Sequence, residues 1–522
     1  MAGNIYRMDG QYEDYLKDES KYSGYADSIS FPESKEEIAG ILKELSQANI
    51  PVTIQGGKTG IVGGAVPQGG HAMNLSRMGK VLEAWMEEDG TGRIRVQPGI
   101  TLADLRKELN QLFRENPQFW PVDPTESSAT AGGIAASGAQ GLCRVLYGRS
   151  SHYFESVDIM DYEGQVRTLH CGEQEVLGTK WEDGLGLALG MEGITGIITE
   201  LTLKLLPKPQ AVWGIAFFFE EDAQAAGFVD GIKEDFLNWK AAPAQETGNY
   251  AQMGSAGGLG ASIWENGTDS HASFHAPDGE LGASIWGNGK ASIAAVEYIG
   301  RESLAMLEDG KELISKLKEF PDIRPEIAAM VYLEIHGEEE SIEELAERLM
   351  ESAMEHGSDP DGAWAVSGEA EVEKLHTFRH AAAELTNLFV EKRHQEDGRI
   401  TKLGADMMAE GGLLQALEGF RQELAEAGLK GCIFGHALEN HLHVNILPES
   451  YEEYRKGIAL MRRWAAKIKE NHGILVGEHG VGKLKRKILG SLLPEEYLEK
   501  CRKAKNKMDC AGMFNQGNIL AK

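Results

Sequence analysis

Three glycine-rich segments in the first 200 residues constrain this chain most. They are Gln55-Gly56-Gly57-Lys58-Thr59-Gly60, running on to Gly63 and Gly64; Thr130-Ala131-Gly132-Gly133, running through Ser137 and Gly138; and Gly190-Met191-Glu192-Gly193-Ile194-Thr195-Gly196. Glycine admits positive φ and close backbone approach, so consecutive N–H groups can face an anion. The first segment follows a short strand pattern at 51–54, as a pyrophosphate cradle would. It lacks the G-x-G-x-x-G spacing, and no ribose-binding acid follows at the distance a Rossmann unit requires. One such loop reads equally well as a tight turn. Three in one region imply a long ligand touching backbone at several points, which suits a dinucleotide.

Local patterns give a mixed α and β order. Ser34 with Glu37 forms a capping box ahead of Ile38, Ile41, Leu42 and Leu45 at helical spacing. Thr101 caps a second helix. A hairpin is expected around Gly164, and Leu201, Leu203 and Leu205 predict a strand with one buried face. Further on, 330–335 reads as a strand and Ser341 as a helix cap. Residues 369–426 read as mostly helical, and Ser450 with Glu453 starts a long helix ending near His472, which reads as structural at that C-terminus. The segment 259–267 recurs almost unchanged at 281–289. Two copies are too few for a solenoid, so a local duplication is expected, and Trp264 and Trp286 are given no role.

Composition narrows the function. With 52 Lys+Arg against 81 Asp+Glu, the formal net charge is −29. That argues against nucleic acid and anionic membrane as partners. An anionic ligand must be held by local cations and backbone N–H groups working against this field. No signal peptide or membrane span is evident. Five scattered cysteines without C-x-x-C disfavour a disulfide framework, a cysteine zinc site and an iron–sulfur cluster. A reducing cytoplasm is the expected location.

The C-terminal part carries a sharper signal. Five of the 15 histidines lie between 436 and 479. A strand at 441–446 would put His441, His443 and Asn445 on one face. Two imidazoles on one face, with Glu478-His479 presented from a glycine-framed loop, suit a divalent cation such as Zn²⁺, Mn²⁺ or Fe²⁺; a solvent-facing polar strand is the plainer alternative. Residues 477–483 satisfy G-x-x-x-x-G-K, but Leu484 follows where a P-loop has Ser or Thr, so an NTPase is the weaker reading.

Together these motifs resemble the FAD-linked D-2-hydroxyacid dehydrogenases, which include D-lactate dehydrogenase, the glycolate oxidase flavin subunit and D-2-hydroxyglutarate dehydrogenase. Residues 51–60 resemble P-x-x-x-R-G-G-G-T-G; Trp120-Pro121-Val122-Asp123-Pro124-Thr125 with 130–133 resembles a second flavin segment; 192–198 resembles E-G-T-L-G-I-V; 435–445 resembles G-H-x-G-D-G-N-L-H-x-N; 477–482 is G-E-H-G-[VI]-G; and Asn515-Gln516-Gly517 resembles N-P-G. The resemblance implies an α+β protein. A p-cresol methylhydroxylase/vanillyl-alcohol oxidase type FAD-binding domain (1–209) would precede an α/β substrate (cap) domain with an antiparallel sheet (210–470). The segment 471–522 would complete the site.

The resemblance further implies FAD held by Gln55, Gly56, Gly57, Lys58, Thr59, Gly60, Gly63, Gly64, Pro121, Asp123, Pro124, Thr125, Thr130, Gly132, Gly133, Ser137, Gly138, Glu192, Gly193, Gly196, Ile198 and Asn515. His436, His443 and Glu478 would ligate the metal, His479 would be the general base, and Arg379, Lys402 and Asn445 would hold the substrate carboxylate. His441 stands where the family has Asn and is a rival ligand of lower rank. Gln55 replaces Arg and Lys58 replaces Gly, so Lys58 is expected to supply the missing charge. Covalently flavinylated relatives carry a His in this loop and this chain does not, so the FAD is expected to be non-covalent. Expected partners are a small 2-hydroxy acid and an electron-transferring flavoprotein or iron–sulfur subunit; a homodimer is compatible. Two other readings share the fold: an alkyl-glycerone-phosphate synthase-like transferase and a non-catalytic flavin electron-transfer subunit.

Overall fold

The computed structural model describes residues 5–240, 291–409 and 411–521. The duplicated segment, with Trp264 and Trp286, lies outside them. Three sheets organise the chain. The first has four strands in the order Ile5–Arg7, Ser28–Ser30, His71–Asn74, Val52–Gln55, parallel except at its first pair. The second has five antiparallel strands, ordered Val81–Met86, Gly92–Val96, Ile197–Lys204, Phe154–Met160, Val166–His170. The third has seven, all antiparallel: Trp364–Ser367, Ala211–Phe219, Ala329–Gly337, Ser292–Gly300, Gly431–His436, His441–Ile446, Leu403–Met408. The α+β order and the antiparallel second-half sheet are as expected.

Local signals explain several boundaries. Ser34 accepts the Glu37 N–H and opens the helix Lys35–Gln47, whose Ile38, Ile41, Leu42 and Leu45 are buried. Thr101 caps Leu102–Leu112 in the same way. Gly164, at φ +81°, turns the hairpin between Phe154–Met160 and Val166–His170. Ser450 starts Tyr451–Glu470.

Three expectations change. The strand Ile197–Lys204 is buried on both faces up to Lys204; it is the central strand of its sheet and the helix Ala131–Ser137 packs on it. Ser341 sits inside the helix Glu339–Glu355, whose N-cap is Glu338, so the apolar stripe sets that boundary and not the hydroxyl. The stretch 369–426 is two helices, Glu369–Glu396 and Leu413–Ala427, with the strand Leu403–Met408 between them. Leu-Gly-Ala-Asp-Met-Met is too short and too apolar for periodicity to separate strand from buried helix.

The C-terminal segment packs back on the first sheet. Phe514 is fully buried with Ile38, Leu42, Val52 and Met73. Asn515 accepts the Ile54 N–H at 2.7 Å and donates to the Glu192 carbonyl at 2.7 Å. Glu192 is itself at φ +48°. Its buried carboxylate receives the N–H groups of Val481 (2.6 Å) and Gly482 (2.8 Å) at the start of the helix Gly482–Leu489. Burial pushes this carboxyl up, and the backbone donors offset it only in part. Glu192 thus clamps the Gly477–Gly482 loop to the turn that leads into the strand Ile197–Lys204. Glu192→Ala leaves two buried N–H groups without an acceptor and is expected to cost roughly 2–4 kcal/mol of stability. Denaturant unfolding followed by tryptophan fluorescence would measure the loss, and Glu192→Gln should lose less.

Candidate active site

A single cavity of about 720 Å³ runs between the glycine-rich segments and the third sheet. That volume lies within the range of cofactor sites. Every residue expected on the flavin side lines it except Gly63, Pro121, Asp123 and Gly138. Those four serve the scaffold. Gly63 gives its carbonyl to Lys483 Nζ at 3.3 Å. Pro121 packs behind Gly141. Asp123 pairs with Arg106. Gly138, at φ +68°, ends the helix Ala131–Ser137.

The cradle is shaped by packing as much as by ligand access. A Cβ at Gly56 would stand 2.3 Å from Thr130 Oγ1, and one at Gly57 would stand 2.5 Å from the Ser128 carbonyl oxygen. The first two glycine-rich segments therefore need each other's close approach. Gly60 differs: a Cβ there meets nothing within 4 Å and would project into the cavity. Lys58 is at φ +60°, which explains why the family motif carries glycine there. Its ammonium donates to the Asp14 carbonyl at 2.6 Å and lies over the Tyr15 ring, so the charge expected to replace the family's Arg is turned to the Asp14 backbone. Gln55 donates to the Tyr15 and Ala65 carbonyls, and its buried Oε1 has no hydrogen-bond partner among the described residues.

The opposite wall is built by strand register. Glu297, His436 and His441 are consecutive cross-strand partners, and Asp406 faces His443 on the next strand. Directly opposed residues share a sheet face, so five chemically active side chains converge. All are buried, which removes the solvent-facing alternative for His441, His443 and Asn445. The Glu478 carboxylate lies 3.4 Å from His436 Nε2, 3.2 Å from His443 Nε2 and 3.4 Å from His479 Nε2.

Two buried carboxylates behind this cluster set its electrostatics. Glu297 takes His436 Nδ1 at 2.5 Å and Arg379 through Nε at 2.9 Å and a terminal nitrogen at 2.8 Å. Burial alone would raise the Glu297 carboxyl, but His436 and Arg379 outweigh it and hold it near 2. His436 is correspondingly lifted to about 10, against its burial, by Glu297 and Glu478. His443 is pushed down to about 3 by burial, so it is a neutral ring. Asp406, fully buried, accepts from His441 Nε2 (2.6 Å), the Glu478 and His479 backbone N–H groups (3.2 and 2.8 Å) and Lys485 Nζ (3.0 Å). Sequence reasoning missed Glu297, Asp406 and Lys485. A lone acid inside each apolar strand, Val296-Glu297-Tyr298 and Ala405-Asp406-Met407, was the available signal.

The cluster fits a cation. It presents one carboxylate and facing imidazole nitrogens, and His436 is oriented by a carboxylate on its far nitrogen, as metal-bound histidines are. Among the described residues, His441, His443 and His479 each keep a buried Nδ1 without a hydrogen-bond partner. By contrast Glu334, outside the cavity, closes on itself, taking His336 Nε2 at 2.7 Å, His376 Nε2 at 2.5 Å and Tyr332 OH at 3.0 Å.

Arg379, Lys402 and Asn445 also line the cavity. The Arg379 charge is already matched by Glu297, and its remaining nitrogen donates to Thr125 Oγ1 at 2.8 Å. Lys402 has neutral partners, Asn387 Oδ1 and Thr386 Oγ1, and burial lowers its ammonium to about 8.

Residues 26–170 match the family described as FAD binding domain, and 286–519 match FAD linked oxidases, C-terminal domain. The chain is 27% identical to a D-lactate dehydrogenase of Anaerostipes hadrus, over 98% of this chain and 93% of that one. It is 22% identical to glycolate oxidase subunit GlcD of Bacillus subtilis, over 96% and 90%. Among solved structures it resembles p-cresol methylhydroxylase (TM-score 0.66, 13% identity, 99% and 93% covered) and alkyldihydroxyacetonephosphate synthase (TM-score 0.58, 16% identity, 95% and 76% covered). These two share its fold. The chain therefore carries this FAD-binding domain followed by this FAD linked oxidase C-terminal domain, and it is an oxidoreductase.

Proposed function

We propose that this chain oxidises a D-2-hydroxy acid of the lactate or glycolate type to the 2-oxo acid. The observation that carries the reading is the placement of His436, His443, Glu478 and His479 on the wall of the cavity that the glycine-rich segments and Lys402 also line. When bound, FAD supplies a hydride acceptor, and a divalent cation at His436, His443 and Glu478 supplies a Lewis acid that acidifies the substrate hydroxyl.

The remaining steps belong to this chain's side chains. Lys402 receives the substrate carboxylate, since Arg379 is already paired with Glu297. Asn445 adds a neutral donor beside it. Together they fix which face of Cα turns to the glycine-rich wall. His479 takes the hydroxyl proton at Nε2, while its Nδ1 faces Asp406 Oδ2 at 3.7 Å. Arg379 keeps Glu297 ionised, and Glu297 keeps the His436 Nδ1–H pointed away from the ligand side. The domain reading is 1–209, 210–470 and 471–522; the strand ends at Lys204 and Ala211 support its first boundary, and the return of Phe514 to Val52 supports the packing of the last segment on the first domain. The FAD is read as non-covalent. Electrons would pass to an electron-transferring flavoprotein or an iron–sulfur subunit, because the five cysteines are free and scattered.

Anaerobic mixing of metal-supplemented flavoprotein with D- and L-2-hydroxy acids tests the reading. One D-acid should bleach the visible flavin band, and chelation should abolish the bleaching. His479→Ala should slow it about 10²–10⁴-fold. Bound flavin that no acid bleaches would overturn the proposal. A pH dependence follows from Lys402: its ammonium is charged below about 8 and neutral above, so kcat/KM should fall as pH rises through about 8. Lys402→Arg should shift that fall to higher pH, since guanidinium stays charged. Glu297→Gln should weaken cation binding about 10–100-fold, as measured by equilibrium dialysis with Zn²⁺.

A further inference from the structure

We propose that His441 is a fourth protein ligand of the cation, through Nδ1. This rests on the reading that a divalent cation sits at His436, His443 and Glu478. It concerns a residue in which this chain departs from its family motif, where Asn stands.

His441 is fully buried and does not line the cavity, whereas His436, His443 and Glu478 do. It therefore stands behind them, away from the substrate side. Its ring centroid is 5.2 Å from that of His436 and 4.9 Å from that of His443. A ring nitrogen of His441, one of His436 and a carboxylate oxygen of Glu478 all lie within 4.8 Å of one another.

The tautomer follows from Asp406. That carboxylate is ionised beside Lys485 and can only accept, so His441 Nε2, 2.6 Å away, carries the hydrogen. Nδ1 is then the ring's remaining ligand atom. This atom is buried and has no hydrogen-bond partner among the described residues. The plainer role, a strut between Asp406 and the strand, accounts for Nε2 and leaves Nδ1 unexplained. A carboxylate–imidazole pair with the far nitrogen free is the arrangement that orients metal-bound histidines. His436 repeats it through Glu297. Four protein donors leave room for substrate on an ion that accepts five or six ligands, which points to Mn²⁺ or Fe²⁺ ahead of a four-coordinate Zn²⁺.

The test uses the FAD-loaded full chain and Mn²⁺, with free Mn²⁺ read by electron paramagnetic resonance. Wild type should bind one ion. His441→Asn restores the family residue and keeps a donor for Asp406. It should raise Kd at least 10-fold with flavin content and melting temperature unchanged, while His443→Asn should abolish binding. A His441→Asn Kd within twofold of wild type overturns the inference and leaves the three-ligand site standing. Wild type that binds no Mn²⁺, Fe²⁺ or Zn²⁺ overturns both. X-ray absorption of the wild-type metal needs no variant: three imidazoles support the proposal, and two refute it.

Discussion

The Asp406 carboxylate is the interaction on which the rest of the site depends. A buried charge is costly unless it is paired and fully hydrogen-bonded. Asp406 has no exposure, and it meets that requirement with an ammonium, an imidazole and two backbone N–H groups. Its own backbone carbonyl receives the Gly477 N–H at 2.9 Å. The loop carrying Glu478 and His479 is thereby fixed to the edge strand of the third sheet. Glu192, in the turn ahead of the strand Ile197–Lys204, holds the far end of the same loop. One loop, clamped by an acid from a strand and an acid from a turn, closes this side of the cavity.

Charge is arranged against the sign of the whole molecule. The chain is strongly acidic, yet its deepest acids are each assigned a cation or several N–H donors. Glu297 is shared by Arg379 and His436; Asp406 by Lys485 and backbone. This leaves Lys402 with neutral partners at the cavity wall. A lysine buried without a carboxylate is under pressure to lose its proton, and a substrate carboxylate relieves that pressure. The same reasoning explains why Arg379, which resembles the family's carboxylate-binding position, stands here behind a histidine.

Legibility in the sequence followed the range of each interaction. Ser34, Thr101 and Ser450 act on N–H groups three residues away, and their helices start where expected. The period-two pattern at 441–446 placed His441, His443 and Asn445 on one face, because a strand alternates whatever its neighbours are. Ser341 failed for the same reason in reverse: its hydroxyl competes with a longer apolar stripe, and the stripe decided. The strand holding Asp406 was hidden inside an apparently helical stretch, since six residues cannot display a period. Gly63, Pro121, Asp123 and Gly138 sit in flavin-like motifs but do not line the cavity, and spacing cannot separate turn and packing positions from ligand contact.

By itself the sequence determined the mixed α and β order, the three glycine-rich segments and the strand face shared by His441, His443 and Asn445. These are carried by residue type and short spacing, and they survive without knowledge of neighbours; the grouping of His436 with His443, Glu478 and His479 is implied by the family resemblance. Only the tertiary structure decided which acids stand behind the histidines. Glu297 reaches His436 across 139 residues and Asp406 reaches His479 across 73. Such pairs are set by strand register and sheet order. A one-residue slip would send every one of these side chains to the opposite face, and no local pattern at either partner records which register is made.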